Sequence, residues 1–182
     1  MNVLGPRIRL RPTRHDDLPF LQALWNDGTV MQHKGYPHGM DVTTACMERW
    51  WETTPQSQQL ENTLPSLATP HCMIELLDGT PIGELSYSLD AHKRAHVDLK
   101  LAHEYWHQGY ATEALILALR ELFATTGIVK VLTEPTAEND AAHKLYKRCG
   151  FQPMPTENHP YRWECTRVDF ADRNKASLAE VA

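Results

Sequence analysis

Alternation marks the first element of the chain. Arg7 to Arg11 reads Arg-Ile-Arg-Leu-Arg, apolar at every second position, which predicts a strand with one buried face. Pro12 ends it. Leu18, Leu21, Leu24 and Trp25 then recur at helical spacing. Thr13 is expected to cap that helix, with Asp16 and Asp17 suited to the positive end of its dipole. A second helix is predicted from about Asp41 to Thr44 onward, past Trp50 and Trp51. From Thr53 to Pro70 the periodicity fails, and Pro55, Pro65 and Pro70 break a polar stretch. A loop of that length inside a compact domain is either functional or a surface insertion. Its polarity suggests a place beside a substrate site.

The next stretch reads as a hairpin. Met73 to Leu77 and Ile82 to Tyr87 flank Asp78-Gly79-Thr80-Pro81, a strong turn signal. His96 to Leu101 is another strand. A break at Gly109 precedes a long helix from about Tyr110 to Thr125, and Val129 to Thr133 is a short strand. Asn139 to Cys149 places Ala142, Leu145, Tyr146 and Cys149 on one helical stripe, with Gly150 as a C-terminal stop. Phe151 and the segment Tyr161 to Phe170 look like final strands, and 171–182 a frayed or helical tail. The strand–helix–strand piece in the middle requires a parallel crossover.

Composition narrows the function classes. With 182 residues the chain fits one α/β domain, placed at 1–170. A formal charge of −5 argues against a nucleic-acid partner and is compatible with a cationic substrate. No apolar run approaches the roughly 20 residues a bilayer needs. The first twenty residues carry four arginines and no apolar core, so no secretory signal is expected. Cys46, Cys72, Cys149 and Cys165 are scattered, without a Cys-x-x-Cys pair. That points to free thiols in a reducing, cytoplasmic setting.

The most informative stretch is Trp106-His107-Gln108-Gly109-Tyr110-Ala111-Thr112-Glu113-Ala114. A strand runs into a glycine turn and a helix opens at once. This leaves backbone N–H groups unpaired beside the positive end of a helix dipole, a setting that suits a pyrophosphate. About thirty residues later comes Asn139-Asp140-Ala141-Ala142-His143-Lys144-Leu145-Tyr146-Lys147-Arg148-Cys149-Gly150-Phe151. Together the two stretches resemble the GNAT superfamily of acetyltransferases. The first is similar to its Gln/Arg-x-x-Gly-x-Gly/Ala motif and the second to its Asn-x-x-Ala-x-x-Leu-Tyr-x-x-x-Gly-Phe motif. The resemblance extends over about residues 7 to 170. Trp106 departs from the usual Gln or Arg, as in the branch that includes ribosomal-protein N-terminal acetyltransferases.

The resemblance implies an α/β (α+β) fold with a mixed, mostly antiparallel sheet and helices on both faces. It implies acetyl-CoA as co-substrate, without a metal, and direct acetyl transfer to an amine. Backbone groups of Leu99 and Leu101 would pair with the pantetheine arm. His107, Gln108, Gly109, Tyr110, Ala111 and Thr112 would cradle the pyrophosphate, and Asn139 would hydrogen-bond the pantetheine. Tyr146 would sit near the sulfur and protonate the departing thiolate. An alkyl ammonium must lose a proton before it attacks, so a base is needed. Asp98, Glu134 and Glu84 are the candidates, with His96 on the face of Asp98. Asp98 is similar to the base of some aminoglycoside acetyltransferases, and Glu134 to that of ribosomal-protein acetylating members. The acceptor is a small-molecule amine or a protein N-terminus, and a homodimer is left open.

Two other readings are weighed. The chain could bind acyl-CoA without catalysis, but both Asn139 and Tyr146 are present. His103-Glu104-Tyr105-Trp106-His107 matches the His-Glu-x-x-His zinc-peptidase signature, whose chemistry needs both histidines on one face of a helix. The strand before it and Gly109 after it predict a loop instead.

Overall fold

The computed structural model describes residues 1–54, 70–124 and 127–179. The loop expected between Thr53 and Pro70 lies outside the described residues, save for its ends. Eight strands form one sheet in the order β1-β2-β3-β4-β5-β6-β8-β7. They are β1 Val3–Leu4, β2 Ile8–Pro12, β3 His71–Leu76, β4 Pro81–Leu89, β5 Arg94–Leu101, β6 Lys130–Thr133, β7 Gln152–Pro153 and β8 Trp163–Thr166. All neighbours run antiparallel except β5 and β6. The helices are α1 Leu18–Asn26, α2 Gly28–Met31, α3 Thr44–Thr53, α4 Tyr110–Ala124, α5 Asp140–Arg148 and α6 Arg167–Ala179. The mixed, mostly antiparallel sheet agrees with the expected fold class.

Helices cover both faces. On one, α4 supplies Leu115, Leu119 and Leu122, and α5 with its C-cap supplies Tyr146 and Cys149, against Ala95, Val97, Val131 and Cys165 of the sheet. Leu119 is fully buried, and trimming such a side chain to Ala typically costs about 2–5 kcal/mol. On the other face, Leu18 and Leu21 of α1 and Met47 of α3 pack on Met73 of β3.

Three local expectations are corrected. Alternation in β2 predicts arginines in solvent, yet Arg11 is buried, with both terminal nitrogens on Asp17 (2.7 and 2.8 Å) and Nε on Glu75. Helices α1 and α3 cover that face, so a charge there must be neutralised. Thr13 does not cap a helix: its hydroxyl faces Nδ1 of His71 at 2.8 Å, and Arg14 takes the N-cap position of a 3-10 turn over His15–Asp17. The final strand is shorter than expected. It ends at Thr166, where a reciprocal cap opens α6: the Thr166 N–H donates to Asp169 Oδ2 (2.8 Å) and the Asp169 N–H donates to Thr166 Oγ1 (3.2 Å). Residues 171–179 continue α6, and Phe170 packs 5.7 Å from Phe123.

One feature of the sheet positions the site. The parallel strands β5 and β6 pair only through Arg94–Lys130, Ala95–Val131 and His96–Leu132. Beyond that point β5 continues to Leu101 with β4 alone beside it, and the chain crosses over through α4. A gap therefore opens between two central strands, at their C-terminal ends.

Candidate active site

The register of β4 and β5 decides which backbone groups face the gap. The Ala102 N–H donates to the Ile82 carbonyl at 3.0 Å, and Lys100 pairs with Glu84 in the same register. In an antiparallel pair, bonded and non-bonded positions alternate. The backbone groups of Asp98 and Lys100 thus belong to β4, and those of Leu99 and Leu101 point into the gap. One of them is already engaged. The Trp106 indole Nε1–H donates to the Leu101 carbonyl at 2.8 Å, so the residue that departs from the usual motif closes the end of β5 instead.

The turn after β5 follows. His103–Tyr105 is a 3-10 turn, and His107 (φ 60°) and Gly109 (φ 84°) both adopt left-handed backbone. That conformation bends the chain directly into α4, and glycine adopts it without strain. Within α4 the hydrogen bonding begins with the Glu113 N–H, which donates to the Gly109 carbonyl at 3.1 Å. Among the described residues no acceptor is present for the amides of His107 to Thr112. Arg7 of the chain before β2 braces the turn. Its Nη1 donates to the Gln108 carbonyl (2.9 Å), its Nε to Glu113 (2.8 Å), and its guanidinium lies 4.7 Å from the Tyr110 ring centre. Nothing in the sequence pattern around Arg7 announces this contact.

Helix α5 brings two motif residues to the same gap. Asn139 is its N-cap, with the side-chain oxygen accepting from the Ala142 N–H at 3.0 Å. Its amide nitrogen has no acceptor among the described residues. Tyr146 is buried against Phe151, with ring centres 5.4 Å apart. Burial pushes its phenol up to about 12, while a hydrogen bond from Thr133, the last residue of β6, pulls the other way. The charge of Asp98 pushes it in the same direction as burial, and that of Lys100 opposes it.

The three candidate bases have different surroundings. Glu84 is fully enclosed: Oε1 takes the Lys100 ammonium at 2.6 Å, and Oε2 lies 2.7 Å from His71 Nε2 and 3.0 Å from the Trp25 indole nitrogen. Burial alone would raise its pKa, but Lys100 and His71 outweigh it and hold the carboxyl at about 2. Asp98 is half-buried between Lys100 (2.7 Å) and Lys34 (2.6 Å). Burial is again outweighed by the two ammoniums, and its pKa is lowered. His96 turns to Asp90 at 3.4 Å rather than to Asp98. Glu134 lies just past β6, exposed, with both oxygens on His159 Nδ1 at 2.9 and 3.1 Å. His159 was not visible as a site residue in the sequence, because a 25-residue separation and an irregular loop join it to Glu134. Lys100 carried a signal: on a strand, residues two apart share a face, so it had to stand beside Asp98.

A family model described as "Acetyltransferase (GNAT) domain" matches residues 7–152. The chain belongs to the GNAT acetyltransferases. Spermidine N(1)-acetyltransferase of Escherichia coli (strain K12) is 26% identical over 153 residues, covering 79% of this chain and 72% of that protein. The solved spermidine N-acetyltransferase from Vibrio cholerae, in complex with CoA and spermine, superposes with a TM-score of 0.74 at 20% identity, covering 92% and 99% of the two chains. The aminoglycoside acetyltransferase AAC(6')-Ib in complex with coenzyme A gives 0.70 at 20% identity, over 91% and 98%.

This GNAT chain is an acetyl-CoA-dependent N-acetyltransferase, and its own residues fit that co-substrate. The unpaired amides from His107 to Thr112 suit a pyrophosphate at a helix N-terminus. The open backbone of Leu99 suits an amide-bearing arm. The His-Glu-x-x-His stretch is a 3-10 turn and a loop in this GNAT fold, and His103 Nδ1 faces Asp27 at 3.1 Å. No helix among the described residues is long and apolar enough to cross a membrane.

Proposed function

We propose that the protein acetylates a small polycationic amine of the polyamine kind, in the cytoplasm. The observation that carries this reading is the acidic layer formed by Glu84 of β4 and Asp98 of β5, where Asp98 holds the exposed ammonium of Lys34 and the largely buried one of Lys100. The likeness to a spermidine acetyltransferase supports it.

Acetyl-CoA, when bound, supplies an acetyl thioester open to attack by an amine. The amides from His107 to Thr112 take the pyrophosphate, and the backbone of Leu99 with the Leu101 N–H aligns the pantetheine, the Leu101 carbonyl being held by Trp106. Asn139 keeps its oxygen on the helix and offers its amide nitrogen to the same arm. Tyr146 holds a proton throughout the neutral range, since its phenol is pushed up to about 12, and delivers it to the thiolate. A carboxylate pinned by cationic and hydrogen-bonding partners, two ammoniums on Asp98 and one ammonium with His71 on Glu84, is a weak base, which disfavours both for proton removal. Glu134 and His159 are better suited. Glu134 holds Nδ1, and Nε2 of His159 is left to take the acceptor's proton.

The test is a panel of amines assayed for thiol release with acetyl-CoA: spermidine, 1,4-diaminobutane, an aminoglycoside, a peptide with a free N-terminus and a monoamine. Turnover highest with the polyamines is expected. A clear preference for the peptide would overturn the acceptor assignment and leave the family intact.

A further inference from the structure

Among the described residues, the four carboxylate oxygens of Glu84 and Asp98 include one whose partner is an exposed side chain. Both oxygens of Glu84 are satisfied inside the protein, by Lys100 on one side and by His71 and Trp25 on the other. Asp98 Oδ2 belongs to Lys100, whose side chain is 14% exposed. Asp98 Oδ1 is the remaining one, and it holds the Lys34 ammonium at 2.6 Å.

Lys34 comes from a short 3-10 turn over Gln32–Lys34 that closes on Gly35 at φ 86°. Residues 34–38 are exposed, and a Cβ added at Gly35 would meet nothing within 4 Å. Little packing therefore fixes the lysine where it stands. Its side chain is 46% exposed, and an ion pair of that kind holds by about five-fold at most.

We propose that Lys34 occupies the place of the acceptor's own ammonium, so that a polycationic amine binds by taking Asp98 Oδ1 from it. This rests on the polyamine reading above and deepens it. The nitrogen that attacks the thioester must be neutral, so the ammonium that displaces Lys34 is a second nitrogen of the same molecule. Lys34 is thus an internal competitor that selects acceptors with at least two amines. A monoamine has nothing left to offer Asp98 once its single nitrogen is deprotonated.

The experiment compares Lys34→Met, Lys34→Arg and Asp98→Asn in the full chain, with 1,4-diaminobutane and butylamine as acceptors at saturating acetyl-CoA. Lys34→Met should lower KM for the diamine about three- to five-fold, with the change in KM rather than kcat. Lys34→Arg should stay at the wild-type value. In an Asp98→Asn background KM should rise, and removing Lys34 should no longer matter. Binding of 1,4-diaminobutane followed by calorimetry should shift in parallel. An unchanged or raised KM in Lys34→Met, or the same drop without Asp98, overturns the proposal while polyamine acetylation stands. If neither wild type nor Lys34→Met binds or acetylates the diamine, while another amine is turned over, both the proposal and the polyamine reading fall.

Discussion

Replacing Lys100 with Met tests whether the acidic layer is held by charge. Met keeps most of the lysine stem and removes the ammonium that sits 2.6 Å from Glu84 Oε1. Glu84 would then be buried, at 2% side-chain exposure, with only the imidazole of His71 and the indole of Trp25 for partners. Breaking a buried pair by removing one member costs about 3–5 kcal/mol. A second route gives a similar size. The carboxyl is held at about 2 against an ordinary 4.5, and a difference of that order corresponds to about 3 kcal/mol. The sign with pH is specific. In the wild type the folded pKa is depressed, so this stabilisation is complete above 4.5 and is lost as pH falls towards 2. In Lys100→Met burial dominates and the folded pKa lies above 4.5. The penalty is then present at pH 7 and fades as the pH falls to the unfolded value. Urea denaturation followed by tryptophan fluorescence should show a gap of about 3–5 kcal/mol at pH 7 that narrows by about 2 kcal/mol at pH 4. Adding Glu84→Gln to Lys100→Met should recover much of the loss, since an amide can be buried without a counter-charge. A gap that does not change with pH, together with no recovery in the double variant, would refute the reasoning.

Other outcomes follow from the same structure. Tyr146→Phe should lower kcat by about 10²-fold with acetyl-CoA affinity retained. With the wild-type phenol pushed up to about 12, the rate profile should show no Tyr146 limb below about pH 11; unchanged kcat would make the residue a packing group. Gly109→Val forces a β-branched residue into φ 84°, with its Cβ 3.3 Å from Arg7 Nη2. Calorimetry should show acetyl-CoA affinity down by about ten-fold or more, and wild-type affinity would move the phosphate turn elsewhere. Asn139→Ala should cost about 1 kcal/mol by loss of the α5 cap, about 2–4 °C in Tm. Asn139→Asp keeps the cap and removes the amide donor, so it should spare Tm yet weaken acetyl-CoA binding; unchanged affinity would confine Asn139 to capping.

Much of this was legible in the chain because local signals and tertiary packing agree. The Asp78-Gly79 turn, the Gly109 break and the Asn139-to-Gly150 helix each carry their own start or stop residues, and each element lies within a residue or two of its predicted bounds. What misled was alternation read without knowing what covers a face. Arg11, Glu75 and Glu84 sit at buried strand positions, and Glu84 meets the Trp25 indole of α1. Arg11 finds Asp17 six residues on, but Glu75 and Glu84 are neutralised by arginines of β2 and by Lys100 of β5, which no window around either carboxylate contains. The end of β8 is different, since Thr166 and Asp169 stand at the spacing of a capping box. That signal was available in the sequence, within the segment Tyr161 to Phe170 read as a strand. The Glu134–His159 pair depends on the path of an irregular loop and left no trace in periodicity.

The gap between β5 and β6 has a consequence for how the sequence can vary. Unpaired strand edges normally lie at the rim of a sheet, where they invite other chains. Here two edges are kept in the interior of an eight-stranded sheet, past His96 and Leu132. On the reading proposed above, the pantetheine arm completes the sheet as an added strand would, through main-chain hydrogen bonds. Such bonds do not depend on side-chain identity. Leu99 and Leu101 can therefore exchange with other apolar residues at little cost to co-substrate affinity, whereas a proline at Leu99 would remove a donor that no side chain can replace.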